Sequence, residues 1–206
     1  MTRLSLFATM ALTSIAIAGC SREAEAPIAN AAKTADEANV ADGVAGNDTI
    51  GGNAVGTMQS VDFVGGDGAA LGSIALSDGA GGLTMVVSGK GMPAGVHGIH
   101  LHEKGLCDGP KFTSAGAHWN PAGTQHGRDN PRGPHLGDLA NLEVTATGDA
   151  TASFTIPGAA MREGSASIAD ADGTAIVVHA KADNYKTDPS GDSGDRIACA
   201  VVAAPE

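Results

Sequence analysis

Apolar and polar residues alternate along short segments of this chain from residue 57 onward, and glycine, aspartate or proline separates the segments. In one segment, Ala152, Phe154 and Ile156 alternate with Ser153 and Thr155. Such alternation puts apolar side chains on one face of an extended strand and polar side chains on the other, so it predicts half-buried β-strands. The predicted strands lie at residues 60–63, 70–76, 83–88, 96–102, 142–147, 152–156, 174–180 and 197–202.

The number and spacing of these segments indicate the fold class. Eight short strands joined by glycine-rich turns predict an all-β domain, an eight-stranded β-sandwich or flattened barrel. Aromatic residues make up only 3% of the chain and glycines number 30, so the predicted core consists of small aliphatic side chains. Residues 103–139 show no strand alternation, and a connection of that length in a compact domain is usually functional or disordered.

The first 56 residues differ from the rest in composition. Residues 1–19 combine one basic residue with an apolar run, which is typical of a bacterial export signal. The small residues directly before Cys20 resemble the lipobox of bacterial lipoproteins, in which the cysteine becomes the lipid-bearing mature N-terminus; an ordinary secretory signal is the alternative. Residues 20–56 predict a flexible low-complexity tether, and residues 57–206 form the predicted domain. We therefore expect a periplasmic protein of the bacterial cell envelope, held at the membrane only by its lipid.

The net charge of the chain is −11 at pH 7. Domains that bind nucleic acid carry a basic surface, so this charge argues against a nucleic-acid partner. The charge favours solubility and does not identify a partner. An anionic substrate would depend on a few local cations for its attraction.

Six of the seven histidines fall between residues 97 and 138, and the seventh is His179. His100 and His102 are two positions apart in a predicted strand, so both imidazoles project from the same face. His97 has the opposite parity, and we interpret it as a hydrogen-bonded structural histidine.

The remaining candidate ligands follow in the long connection and at the end of a later strand. Imidazole suits copper and zinc, and three histidines with one carboxylate fit a closed, four-coordinate zinc site. Six histidines and one aspartate are too many for one tetrahedral ion, so the set predicts two ions that share an imidazole through its two ring nitrogens. The candidates are His100, His102, His118, His126, His135, Asp138 and His179.

Several short motifs occur in order along the predicted domain, and together they resemble the copper/zinc superoxide dismutases over nearly all of residues 57–202. The resemblance implies a Greek-key order of the strands, long metal-binding and electrostatic loops, and a possible homodimer. The motifs are GIHLHE at 98–103, GAHWNP at 116–121, HG at 126–127, HLGDL at 135–139, VVH at 177–179 and GDRIACAV at 194–201.

The resemblance also implies which metal each candidate ligand binds, with His118 bridging the two ions. The implied copper ligands are His100, His102, His118 and His179. The implied zinc ligands are His118, His126, His135 and Asp138.

Two further residues receive roles from the resemblance. Asp183 is expected to hydrogen-bond a copper ligand and a zinc ligand together, and an exposed loop acid is the alternative. Arg196 is expected beside the open copper position, where its guanidinium offers forked donors to a small anion. A surface salt bridge with Asp192 or Asp195 is the alternative for Arg196.

Two cysteines remain once Cys20 is assigned to the lipid. Cys107 and Cys199 form an even pair in a predicted exported protein, where disulfides persist. They resemble the intrasubunit bridge of the family. Copper ligation by these thiols is the rival interpretation, which is disfavoured because imidazoles already fill both sites.

The activity implied by the resemblance is the disproportionation of superoxide to dioxygen and hydrogen peroxide, with copper changing oxidation state and zinc shaping the site. His118 is expected to transfer a proton and Arg196 to guide the anion. A non-catalytic envelope protein that buffers copper and zinc is the alternative, since it needs the same ligands but no guiding arginine. A zinc hydrolase would need a general base beside an open zinc position, and the sequence places none.

Overall fold

The computed structural model describes residues 58–206. The predicted export signal at 1–19, the lipidated Cys20 and the tether at 20–56 lie outside the described residues, so they stay predictions. Within residues 58–206, no helix is both long and apolar enough to cross a membrane.

The described part of the chain is built almost entirely from antiparallel strands, as the all-β prediction requires, and the predicted fold class is confirmed. One short 3₁₀ turn, Thr113–Ala115, is the helical element of this region. The strands are β1 (Gln59–Gly65), β2 (Ala70–Gly79), β3 (Gly82–Gly89), β4 (Gly95–His97), β5 (Ile99–His102), β6 (Leu142–Val144), β7 (Ala150–Ile156), β8 (Thr174–His179) and β9 (Arg196–Ala203).

Seven of these strands form one curled sheet in the order β5-β8-β9-β1-β2-β3-β7, and β4 pairs with β6 in a small second sheet. Strands β4 and β5 are consecutive in the chain, and so are β6 and β7. The small sheet therefore continues the two edges of the large one, and the whole is a flattened barrel.

The structure has nine strands where the sequence predicts eight, because the segment 96–102 is interrupted at Gly98. The Gly98 N–H donates to the carbonyl of Lys181 at 2.8 Å, and a Cβ at Gly98 would lie 2.9 Å from the Cβ of Ser193. The chain leaves the small sheet at this point and joins β8. A glycine allows the close approach that the change of sheet requires.

Strand β6 ends at Val144, three residues before the end of the strand that the sequence predicts at 142–147. Residues 145–148 form a turn in which the Gly148 N–H donates to the Thr145 carbonyl at 3.0 Å, and Gly148 has φ +84°. Ala146 is exposed in this turn, so the prediction of a strand over 142–147, in which Ala146 would share the face of Leu142, is wrong at this end. Local turn chemistry overrides the apolar alternation here.

The barrel core consists mainly of aliphatic side chains from the inward faces of the strands, together with Phe63 and Trp119. In β5, Ile99 and Leu101 belong to this core, so His100 and His102, which alternate with them, project to the opposite face. Burying a side chain of the size of leucine or isoleucine stabilises the fold by about 1.5–3 kcal/mol. The core therefore fixes β5 as a rigid support for the two histidines.

Strand β5 is an edge of the large sheet, and two loop segments cover its free side. The Leu101 N–H donates to the Gly137 carbonyl at 2.9 Å, and the Trp119 N–H donates to the Leu101 carbonyl at 2.8 Å. A Cβ at Gly137 would lie 2.7 Å from the Leu101 carbonyl oxygen, so this approach requires glycine. Backbone pairing at the sheet edge thus brings the long connection over the histidine face of β5.

A second, smaller hydrophobic cluster lies between β8, β9 and the first part of the same connection. It contains Phe112, Ala115, Ala175, Val177 and Cys199, all buried. Cys199 forms a disulfide with Cys107, 92 residues away in the chain.

Candidate metal centre

Four histidines meet over the outer face of β5. His100 and His102 come from β5 itself, His179 ends β8, and His118 pairs with His102 through an isolated antiparallel bridge. One donor atom from each of these four side chains lies within 4.8 Å of the others. All four residues are buried.

The ring nitrogens that face this cluster have no hydrogen-bond partner within residues 58–206. A polar atom that is buried without a partner destabilises a fold, so four in one place indicate a site built to bind a ligand. Neutral imidazole nitrogens with free lone pairs are the donors that copper and zinc prefer. The atoms are Nδ1 of His100 and Nε2 of His102, His118 and His179.

The opposite ring nitrogen of three of these histidines is held by an oxygen acceptor. His102 Nδ1 donates to the Gly116 carbonyl at 3.0 Å and His179 Nδ1 to the Gly194 carbonyl at 3.2 Å. His100 Nε2 donates to Asp183 Oδ2 at 3.0 Å. Such bonds fix the tautomer and the ring orientation and leave the other nitrogen free for a metal.

A second group of donors converges on Asp138. The ring Nδ1 atoms of His118, His126 and His135 lie 2.9, 3.0 and 3.2 Å from Asp138 Oδ1. His100, His118, His126 and Asp138 also offer donor atoms within 4.8 Å of one another, and His135 joins the group through Asp138. Three imidazoles and one carboxylate at these spacings fit a four-coordinate zinc ion.

His118 contributes to both groups, through Nε2 to the first and Nδ1 to the second. Asp183 connects the two groups through the outer ring nitrogens of two histidines. Its Oδ1 accepts from His126 Nε2 and its Oδ2 from His100 Nε2, both at 3.0 Å. Asp183 is only 3% exposed, so it does not lie on the surface.

Burial is the main cause of the lowered pKa values of the histidines in the first group. The pKa of His118 falls from 6.5 to about 4, and that of His179 to about 3. Burial likewise lowers the pKa values of His100 and His102. These imidazoles are therefore neutral at physiological pH, which is the state that binds a metal.

The second group carries charge. Burial disfavours the carboxylates of Asp138 and Asp183, but hydrogen bonds from the neighbouring imidazoles lower the pKa of each below its ordinary range. Burial also disfavours protonated His126, yet these two carboxylates together raise its pKa to about 9 in the metal-free protein. A divalent cation between the histidines would replace that proton.

A cavity of about 370 Å³ opens beside the first group of histidines. Arg196 lies in its wall, where Nη1 donates to the Phe112 carbonyl and Nη2 to the Gly116 carbonyl, each at 2.6 Å. No salt bridge of Arg196 with Asp192 or Asp195 occurs in residues 58–206, so the predicted alternative for this residue is wrong. The cavity is lined by His102, Gly116, Ala117, His118, His179, Pro189, Ser190, Gly194 and Arg196.

His97 belongs to neither group. Its Nδ1 and Nε2 lie 2.8 and 2.9 Å from the carbonyl oxygens of His179 and Pro93. This buried histidine contacts backbone groups, as its interpretation as a structural residue predicts.

The structure adds three residues that sequence reasoning missed. Asn141 exchanges two hydrogen bonds with the backbone of Asp183, at 2.8 and 3.0 Å. Asp188 accepts from the His126 N–H at 2.7 Å. Gly191 has φ +64° and packs directly on Asp183. None has a local sequence signal, because each acts on a residue that the tertiary fold brings to it.

Comparison with known proteins agrees with this geometry. Residues 70–202 match the family model described as copper/zinc superoxide dismutase. A copper/zinc superoxide dismutase of Caulobacter vibrioides is 41% identical over 140 residues, which cover 66% of this chain and 80% of that protein. A superoxide dismutase-like protein of Bacillus subtilis is 41% identical over 145 residues, 69% of this chain and 74% of that protein.

The likeness extends to three dimensions. The crystal structure of a superoxide dismutase-like protein from Bacillus subtilis matches with a TM-score of 0.67 and 39% identity, and the match covers 69% of this chain and 97% of that one. Together with the two groups of metal donors, these matches confirm copper and zinc as the cofactors. The chain belongs to the copper/zinc superoxide dismutase family.

Proposed function

We propose that this protein is a superoxide dismutase, which converts two superoxide anions and two protons into dioxygen and hydrogen peroxide. The observation that carries the proposal is the set of four buried, unpartnered imidazole nitrogens beside a cavity whose wall contains Arg196. A redox metal held there would be accessible to a small anion and would have the Arg196 guanidinium nearby.

The donor groups define the proposed ligands. Copper would be held by Nδ1 of His100 and Nε2 of His102, His118 and His179. Zinc would be held by Nδ1 of His118, His126 and His135 and by Oδ1 of Asp138. His118 would thereby serve both metals, one with each ring nitrogen.

Copper supplies a one-electron redox couple when bound, whereas zinc has no redox chemistry and shapes the site. Arg196 attracts and orients superoxide through its guanidinium, which is held in place by two backbone carbonyls. His118 Nε2 belongs to a residue that lines the cavity, and we assign to it the holding and release of a proton that peroxide formation consumes. Asp183 keeps the rings of His100 and His126 in orientation throughout.

The test is to purify the protein, load it with copper and zinc, and quantify both metals before measuring superoxide consumption. We expect one equivalent of each metal and an activity that disappears on chelation and returns when copper is restored. Copper well below one equivalent after loading, or activity indifferent to chelation, would refute the proposal.

A non-catalytic protein that buffers copper and zinc would use the same ligands. Family membership does not decide between the two, because the Bacillus subtilis relative is named only as superoxide dismutase-like. Arg196 favours the enzyme, since metal storage has no use for a guanidinium directed to the open side of the site. A zinc hydrolase is disfavoured because four protein donors surround the proposed zinc position.

The disulfide between Cys107 and Cys199 is typical of a protein from an oxidising compartment, and it supports export. We further propose that the chain is a lipoprotein of the bacterial periplasm, anchored through Cys20. Incorporation of labelled palmitate into the wild type but not into Cys20→Ser would support the anchor, and labelling of both would exclude it. A homodimer is also proposed, and sedimentation equilibrium of the metal-loaded protein measures it directly.

A further inference from the structure

Asp188 is a carboxylate outside the proposed ligand set that faces two of the proposed zinc ligands, His126 and His135. Its Oδ1 accepts a hydrogen bond from the His126 backbone N–H at 2.7 Å. The same atom lies 4.0 Å from Nε2 of His135. The side chain is 44% exposed, so it reaches the site from the solvent side.

His135 needs such a partner more than the other histidines do. The ring nitrogens of His100, His102, His126 and His179 that point away from the metals all have an oxygen acceptor within 3.2 Å. With Nδ1 of His135 taken up as the proposed zinc ligand beside Asp138, its Nε2 would be the ring nitrogen that carries the N–H. The carboxylate that faces this nitrogen is Asp188, across a gap of 4.0 Å that a small rotation of the ring closes.

The loop around Asp188 is held in a defined shape. The Gly191 N–H donates to the Thr187 carbonyl at 2.6 Å, and Asn184 Oδ1 accepts from the N–H groups of Lys186 and Thr187 at 3.0 and 2.9 Å. These bonds fix the backbone on both sides of Asp188, so its carboxylate is directed at the zinc side rather than free to move. The next two residues, Pro189 and Ser190, line the cavity beside the copper ligands.

We propose that Asp188 is a positioning residue for zinc, which fixes His126 through its backbone and His135 through its ring. This inference rests on the zinc ligands assigned in the proposed function. Asp183 does the same for His126 from the opposite side. The zinc site is thus held by two carboxylates outside the ligand set, and loss of such partners costs metal-binding proteins about 10–100-fold in affinity.

The test compares the zinc affinity of wild type, Asp188→Ala and Asp188→Asn in the full-length protein, by competition with a chromophoric chelator in the absence of copper. We expect Asp188→Ala to bind zinc about 10–100-fold more weakly. Asp188→Asn should lose less zinc affinity than Asp188→Ala. Its side-chain carbonyl still accepts from the His126 N–H, and only the charge opposite His135 is removed.

Asp192→Asn is the matched control, since it removes the same charge from the same loop. Asp192 is exposed, and its carboxylate accepts from Asn184 Nδ2 at 3.2 Å, not from a zinc histidine. We expect its zinc affinity to equal that of the wild type. An affinity of Asp188→Ala within twofold of the wild type, or an equal loss in Asp192→Asn, would overturn the proposal.

The melting temperature of each metal-free variant and its rise on adding zinc separate positioning from general stability. Positioning predicts nearly unchanged melting of the metal-free protein and a smaller rise with zinc, since the rise reports binding to the native state. If Asp188→Ala does not fold, the comparison of Asp188→Asn with Asp192→Asn decides the matter alone.

The measurements also distinguish a failure of the role proposed for Asp188 from a failure of the proposed enzyme activity. A wild type that binds one zinc but does not consume superoxide would refute the enzyme and leave the role of Asp188 to be decided by the affinities. A wild type that binds no zinc would overturn both.

Discussion

His118 is the residue through which the two metal positions are coupled. Its Nδ1 lies 2.9 Å from Asp138 Oδ1, and its Nε2 belongs to the buried, unpartnered set beside the cavity. Its ring centroid is 4.0 Å from that of His100. Replacing His118 would therefore disturb both sites at once, and the assignment of the metals is better tested with ligands that belong to one group.

We expect His179→Ala to abolish superoxide consumption while one equivalent of zinc stays bound, because His179 faces only the first donor group. His135→Ala is the reciprocal variant, since His135 belongs only to the second donor group, which it joins through Asp138, and it should lose zinc and keep copper. Metal analysis of both purified variants checks the pair. Full activity in His179→Ala would remove this residue from the copper ligands.

Arg196→Met should lower kcat/KM for superoxide by about 10-fold or more, because electrostatic steering typically contributes 10–10³-fold to association. The variant should also show a weaker dependence of kcat/KM on ionic strength, since the attraction that salt screens has been removed. Stopped-flow measurements at several salt concentrations give both quantities.

Arg196→Lys is the matched control for charge. It keeps the cation but cannot make both hydrogen bonds to the carbonyls of Phe112 and Gly116, so an intermediate kcat/KM is expected. Copper and zinc contents should be unchanged in both variants. Wild-type kcat/KM in Arg196→Met would exclude a role of this residue in catalysis.

At the scale of elements, the loop between β8 and β9 forms one wall of the metal centre, and Gly191 lets it pack there. A Cβ at Gly191 would collide with Asp183 Oδ1 and lie 2.7 Å from His126 Nε2. Its φ of +64° also favours glycine. The loop can therefore approach the Asp183 bridge only without a side chain at this position.

Gly191→Ala should weaken the binding of both metals, because the new methyl group displaces Asp183 from His100 and His126. Gly123→Ala is a close control: Gly123 has the same φ of +64°, and no atom lies within 4 Å of its Cβ position. Both variants should lose about 1–2 kcal/mol of stability from the left-handed backbone. Only Gly191→Ala should lose metal affinity, as measured by chelator competition; equal affinities would contradict the steric argument.

The disulfide joins the long connection between β5 and β6, which contains Cys107, to strand β9, which contains Cys199 and begins at Arg196. Cys107→Ala combined with Cys199→Ala should lower the free energy of unfolding of the metal-free protein by about 4 kcal/mol, since the bridge closes a loop of 92 residues in the unfolded chain. Urea unfolding of this variant, and of the wild type with and without reductant, measures the difference. A loss below about 1 kcal/mol would mean that the bridge does not act mainly on the unfolded chain.

At the scale of the whole molecule, the buried imidazoles make the stability of the metal-free protein depend on pH in both directions. His118 and His179, with pKa values of about 4 and about 3 against an ordinary 6.5, take up protons more readily when unfolded, so stability falls as the pH drops below 6.5. His126, with a pKa of about 9, holds a proton in the folded state that the unfolded chain has lost, so stability falls as the pH rises from 6.5 towards 9.

We therefore expect the metal-free protein to be most stable near pH 6.5, the ordinary pKa of these histidines. Thermal unfolding between pH 4 and 9 with chelator present measures the profile. Zinc-loaded protein is the control and should not show the alkaline decline, because zinc replaces the proton shared by His126 and the two aspartates. Stability of the metal-free protein that rises steadily from pH 6.5 to 9 would contradict the charge state assigned to His126.

Much of this architecture is predictable from local pattern. The alternation in β3, β7 and most of the other strands predicts the sheet, because strand parity depends only on the backbone of a few consecutive residues. The same parity predicts that His100 and His102 share a face opposite Ile99 and Leu101, and the buried core shows that they do. The break at Gly98 and the turn at 145–148 are missed, since both depend on contacts made elsewhere in the fold.

The sequence by itself determined the all-β class, the family and the copper and zinc cofactors, because the class follows from strand period, and the family with its metals follows from ordered motifs that resemble the copper/zinc superoxide dismutases. Only the tertiary structure decided how the donors are held. The bonds of Asp183 to His100, of Asn141 to Asp183 and of Asp188 to His126 span 83, 42 and 62 residues. The physical reason is that a side chain is oriented by its hydrogen-bond partners, and partners this distant meet only when the loops close over β5.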